Sequence, residues 1–274
     1  MDPLVITVAG IGAELSREDQ PALPLSAEEI GGDAADCAAA GASIYHLHVR
    51  DRDGAPTMDP DAFARAFQAI RSNTDLIVQF TSGGSVHDDE AARVAPLDLR
   101  PDMATLTTGS VNFGDEVFLN PLPLVERLYR KMRDLAILPE YEIFEPGMIA
   151  TATRLYEASG ESHHRHFDFV LGVPGGLPAW PDAIEFLIAH LPTGATWSAT
   201  GVGKSHLAIA TEAIERGGGV RTGLEDVRYF GAGRPARSNS ELIARVAEMA
   251  QAAGREIATP LDARTLLGLS PPKR

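Results

Sequence analysis

The sequence is poor in cysteine, in aromatic residues and in positive charge, and it has no long apolar run. Cys37 is the only cysteine among 274 residues, which excludes an intramolecular disulfide and fits a reducing cytoplasm. It lies in an Ala-rich helical stretch, where a small, buried, apolar side chain is the expected role. Lys and Arg total 24 against 38 Asp and Glu, for a net charge of −14. So acidic a chain is a poor partner for nucleic acid or anionic membrane. Local Arg and Lys can still reverse the field inside a pocket and admit an anionic substrate. No apolar run approaches membrane-spanning length, and the N-terminus lacks a basic region followed by an apolar stretch. The expectation is an acidic, soluble, cytoplasmic protein.

What is present is an alternation of short β-rich runs with longer helical ones. Strands are expected over 4–9, 43–49, 76–81, 103–107, 140–144, 167–172, 196–200 and 219–223. Most are apolar without strict alternation, as parallel strands covered on both faces should be. Three intervening helices are clear. Ser26 with Glu29 three residues on is a capping-box signature before 30–40. The segment 123–137 places Leu124, Val125, Leu128, Tyr129, Met132 and Leu135 at helical spacing. The last long helix, 240–253, stops at Gly254. Eight βα units without a composition break point to an α/β fold, a single (β/α)8 TIM barrel spanning 1–274. The competing doubly wound sheet needs a glycine fingerprint after strand one. Gly10-Ile11-Gly12-Ala13-Glu14 lacks the third glycine.

Barrels gather reactive groups at the C-terminal ends of their strands. Here those ends carry Glu14, His46-Leu47-His48, Thr81-Ser82-Gly83-Gly84, Thr105 and Thr107, Glu142, and Arg221 with Glu225-Asp226. Alternation along a strand puts His46 and His48 on one face. Two neutral imidazoles plus the Glu225 carboxylate, with one position open, make a catalytic zinc set. Two satisfied structural histidines are the alternative. Asp226 points to the other side from Glu225 and can act as a base, with Arg221 orienting it. For Arg221 the alternative is a surface salt-bridge cluster.

Two attractive motifs fail. Gly203-Lys204-Ser205 resembles the end of a P-loop, but Ser198 stands where the earlier glycine is required. A nucleotide-tail contact by Lys204, after strand seven, stays open beside the reading as a solvated loop lysine. The tract His163-His164-Arg165-His166 precedes strand six and is expected as a solvated loop at the opposite face.

The chain resembles the β-keto acid cleavage enzymes along nearly its whole length. The matching segments are 10–14, 46–50, 103–106, 112–116, 172–176, 223–226, 238–239 and 257–260. The resemblance implies a (β/α)8 barrel, a homotetramer, one zinc per chain and a place in amino-acid catabolism. Its reaction converts a β-keto acid and acetyl-CoA into acetoacetate and a new acyl-CoA. Carried over by position, the zinc ligands are His46, His48 and Glu225. The catalytic residues are Asp226, Arg221 and Glu142, with Glu142 also facing substrate. Substrate contacts fall on Glu14, Thr81, Ser82, Gly84, Thr105 and Thr107. The Thr81-Ser82 order is swapped relative to the family pattern, and Thr107 replaces an amide. Glu14 matches a glutamate that faces an ammonium where the family's substrate carries one.

In the implied mechanism, zinc polarises the ketone and Asp226 removes the adjacent proton. Thr81, Ser82 or neighbouring backbone N–H groups would then stabilise oxyanions. A zinc-dependent aldolase or hydrolase on the same barrel, and a non-catalytic metal-binding protein, are the rival readings.

Overall fold

Eight parallel strands close into a barrel: β1 (Ile6–Ala9), β2 (Ile44–Leu47), β3 (Ile77–Phe80), β4 (Met103–Thr107), β5 (Leu138–Ile143), β6 (His166–Leu171), β7 (Thr196–Gly201) and β8 (Gly219–Thr222). Each neighbours the next in sequence, and β1 closes the ring by pairing with both β2 and β8. The computed structural model describes residues 1–160 and 162–270. Helices cover the outside, including α1 (Ala27–Ala40), α2 (Pro60–Asn73), α3 (Glu90–Val94), α4 (Leu122–Asp134), α5 (Gly147–Ser159), α6 (Ala183–Ala189), α7 (His206–Arg216), α8 (Asn239–Ala252) and α9 (Pro260–Leu266).

The local signals act as their chemistry suggests. Ser26 caps α1 by accepting from Glu29 N, and the Glu29 side chain returns the bond to Ser26 N at 2.9 Å. The apolar stripe of α4 buries Leu124, Val125, Leu128, Tyr129 and Met132, while Lys131 and Arg133 sit in its last turn. Cys37 is fully buried in α1, as a small apolar residue should be. Among the described residues, no helix is long and apolar enough to cross a membrane.

Two expectations need correction. The second strand leaves the barrel at Leu47 instead of running to residue 49. Val49–Arg50 turns away to pair antiparallel with Pro56–Thr57. Arg50 explains the departure: its buried guanidinium donates to Gly12 O at 2.7 Å and Leu15 O at 2.9 Å, drawing the chain toward the loop after β1. The second correction concerns His166. It is not in a solvated loop but begins β6, buried, with Nε2 3.4 Å from the buried Glu140 carboxylate. A pairing partner on the adjacent strand outweighs the polar run that precedes it. His164 and His166 also both reach Thr196 Oγ1, at 2.7 and 2.8 Å.

Candidate active site

A cavity of about 1160 Å³ opens over the C-terminal strand ends, and His46, His48, Glu142, Arg221, Glu225 and Asp226 share its floor. Register brings them there. Ala9 pairs with His46, His46 with Gln79, Thr7 with Arg221 and Thr107 with Glu142. His48 lies just past the end of β2, yet its ring stays 5.1 Å from that of His46.

Glu225 reaches this group because the chain is glycine on both sides of its approach. Gly12 has φ +66°, and a Cβ there would lie 2.6 Å from Glu225 Cγ. Gly223 has φ +157°, and a Cβ would lie 2.0 Å from Ala9 O, inside any allowed contact. Asn239 locks the same loops together. Its side chain accepts from Leu224 N at 2.8 Å and donates to Gly10 O at 3.0 Å.

One oxygen, Glu225 Oε1, lies 3.7 Å from both His46 Nε2 and His48 Nε2. Donor atoms of the three residues all fall within 4.8 Å of one another. Burial lowers the pKa of both imidazoles, to about 3 for His46, so they are neutral. Burial works against the Glu225 carboxylate too, yet Arg221 holds its pKa near 2. Among the described residues, Glu225 Oε2 is buried without a hydrogen-bond partner. Two neutral nitrogens and an ionised carboxylate facing one point, with an orphaned oxygen, fit a divalent cation with room for another ligand.

Arg221 joins the trio to its neighbours. Nε and Nη2 donate to the two Asp226 oxygens at 3.0 and 3.1 Å, a bidentate pairing. Nη2 also donates to Glu225 Oε1 at 2.5 Å, and Nη1 to Glu142 Oε1 at 3.4 Å. Burial raises Asp226 to about 7 against the pull of Arg221, and raises Glu142 to about 7 against Arg221 and Thr107. These two carboxyls therefore exchange protons near neutral pH.

The remaining expected residues divide into lining and support. Glu14, Thr81 and Gly84 line the cavity, as does Lys204 near its rim. Glu14 is exposed at the residue level, yet partial desolvation and the nearby Glu116 raise its pKa. Ser82, Thr105 and Thr107 do not line the cavity but stand behind its wall. Ser82 Oγ donates to Thr105 O at 2.5 Å, Ser82 N donates to Thr105 Oγ1 at 3.2 Å, and Thr107 Oγ1 donates to Glu142 Oε2 at 2.6 Å. This corrects the expectation of oxyanion donors around Ser82. The N–H groups of Gly83 and Gly84 also point inward, to Thr81 Oγ1. The Thr81 hydroxyl keeps its own proton to donate.

The sequence reading missed part of the wall. Val111–Phe113 and Glu116–Phe118 form an antiparallel hairpin that contributes Phe113, Gly114 and Phe118 to the cavity. Apolar residues either side of Gly114-Asp115 were the available signal.

A closed (β/α)8 barrel with a candidate metal centre and an Arg-held carboxyl at its catalytic face defines the class of protein. The chain belongs to the beta-keto acid cleavage enzyme family, whose model matches residues 3–269. It is 42% identical over 271 residues to a 3-keto-5-aminohexanoate cleavage enzyme of Fusobacterium nucleatum subsp. nucleatum, covering 98% of this chain and 99% of that one. It is 37% identical over 270 residues to a 3-oxoadipate:acetyl-CoA acetyltransferase of Cupriavidus necator, covering 97% and 95%. Among solved structures, the ternary complex of ObcA with a C4-CoA adduct and oxalate superposes with a TM-score of 0.79 at 21% identity, over 91% of this chain and 68% of that one. That last likeness concerns the fold.

Proposed function

We propose that this enzyme is a zinc-dependent acyltransferase that exchanges acyl groups between a β-keto acid and acetyl-CoA, giving acetoacetate and a new acyl-CoA. Family membership supports the reaction type, and acetyl-CoA appears by name among the relatives. The observation that carries the reading is the bidentate Arg221–Asp226 pair beside the three-donor set.

His46, His48 and Glu225 would hold the ion, which supplies Lewis-acid polarisation of the substrate ketone. Asp226 takes the proton from the carbon between ketone and carboxylate. Its pKa near 7 makes it a stronger base than an ordinary carboxylate, still ionised in part at neutral pH. Arg221 fixes the aim of Asp226 and limits how far its pKa rises. The freed carbon joins the acetyl carbon of acetyl-CoA, and the released thiolate takes over the original acyl group as the old carbon–carbon bond breaks. Thr81, which lines the cavity, would donate to an oxyanion, and Glu142, protonated in part and bonded to Arg221, would return a proton. Glu14, which also lines the cavity, suits a cationic group on the β-keto acid. Lys204, which lines the cavity, would meet the anionic tail of CoA. The resemblance supports a homotetramer, the unbroken run of βα units a single domain, and the lone Cys37 a reducing cytoplasm.

Asp226→Asn tests the base. The variant should keep the zinc content of the parent while kcat falls by roughly 10²–10⁴-fold. Near-normal turnover, or a parent protein without stoichiometric metal, contradicts the reading.

A further inference from the structure

Beneath the donor trio lies a polar layer that the proposed chemistry does not use. Gln79, on β3 beside His46, is completely buried. Its Oε1 lies 2.7 Å from His46 Nδ1. Among the described residues, its Nε2 has no hydrogen-bond partner, and neither does Oε1 of the buried Glu140. His166 first, and the Gln79 amide after it, lower the Glu140 pKa against its burial and keep it ionised. His166 closes the chain, with Nε2 3.4 Å from Glu140 Oε2.

The chemistry of these groups gives the chain a direction. An ionised carboxylate only accepts hydrogen bonds, so Glu140 turns the NH₂ end of Gln79 toward itself. The amide oxygen then faces His46, and an amide oxygen also only accepts. His46 must therefore carry its proton on Nδ1, which leaves the Nε2 lone pair facing Glu225 and His48. A neutral imidazole in the other tautomer would present N–H to that point and could not ligate.

We propose that Gln79 is a positioning residue for the candidate metal centre, its orientation set by Glu140 and His166, and that it holds His46 in the one tautomer able to bind a cation through Nε2. The proposal rests on the zinc reading above and adds a dedicated support to it. Outer partners of this kind commonly contribute 10- to 100-fold in metal affinity, by roughly that much.

Gln79→Leu removes the acceptor at similar volume, whereas Gln79→Glu retains one. Zinc affinity is measured by competition with a chromophoric chelator, on parent and variants. Gln79→Leu should weaken zinc binding by roughly 10- to 100-fold, and Gln79→Glu should restore most of the loss. Parent affinity in Gln79→Leu, or equal loss in both variants, overturns the proposal. A second measurement needs no variant: the ¹⁵N spectrum of the histidine rings in the parent, metal-free and zinc-loaded. It should show His46 protonated at Nδ1 in both, and a proton at Nε2 of the metal-free protein overturns the proposal while leaving the zinc reading intact. A parent that binds zinc with no measurable affinity removes the zinc reading and this proposal with it.

Discussion

Arg221 donates to three carboxyl groups at once, and this crowding governs the protonation of the site. One guanidinium cannot neutralise Glu142, Glu225 and Asp226 together, so burial pushes two of them up to about 7 while Glu225, nearest the histidines, stays ionised. A different buried acid shows the same physics away from the site. Burial raises Asp33 in α1 to about 6, although Tyr45 Oη and Asn239 Nδ2 both donate to Oδ2, at 2.8 and 3.0 Å. The folded protein therefore keeps a proton that the unfolded chain has released. The stability this gives is complete below the unfolded pKa near 3.8 and is lost as pH rises through about 6. Two pKa units correspond to about 3 kcal/mol. Asp33→Asn keeps the accepting oxygen without the charge, so between pH 4 and 6 its denaturant midpoint should fall less steeply than the parent's, the remaining slope coming from Glu142 and Asp226. A parallel slope in both proteins would place the titration elsewhere.

At the scale of elements, the site depends on how closely the loop after β8 approaches the end of β1. Gly223→Ala would drive a Cβ into Ala9 O at 2.0 Å and impose a φ that alanine rarely adopts. We expect a loss of about 2–4 kcal/mol, measured by urea denaturation, with zinc binding weakened as Glu225 is displaced. A variant with parent stability would mean that the loop can relax at little cost. Much of this layout was legible in the sequence. The strands could be located because their residues are buried on both faces, and His46, His48, Glu225, Asp226 and Arg221 stood out as polar groups at apolar strand ends. What could not be read depends on partners distant in the chain. Arg50 ends β2 early by bonding to Gly12 and Leu15, and His166 becomes a core residue only because Glu140 lies beside it on β5. Ser82 and Thr105 look like ligand contacts in sequence, yet they satisfy each other across β3 and β4.

For the whole molecule, the acidic surface and the polar floor are separate matters. The net charge of −14 is spread over the chain, whereas Lys204, Arg221 and Arg228 are among the residues that line the cavity. Under the proposed function, Lys204 would meet the anionic cosubstrate and Glu14 a cationic end of the β-keto acid. The cavity, at about 1160 Å³, has room for both substrates' reacting ends over the same floor. The central claim is acyl exchange, and an isotope experiment addresses it most directly. Purified enzyme would be given a panel of β-keto acids with acetyl-CoA carrying ¹³C in the acetyl group, and the products read by mass spectrometry. The account predicts labelled acetoacetate together with an unlabelled new acyl-CoA, formed only when acetyl-CoA is present. Cleavage of the β-keto acid without acetyl-CoA, or acetoacetate free of label, would contradict it.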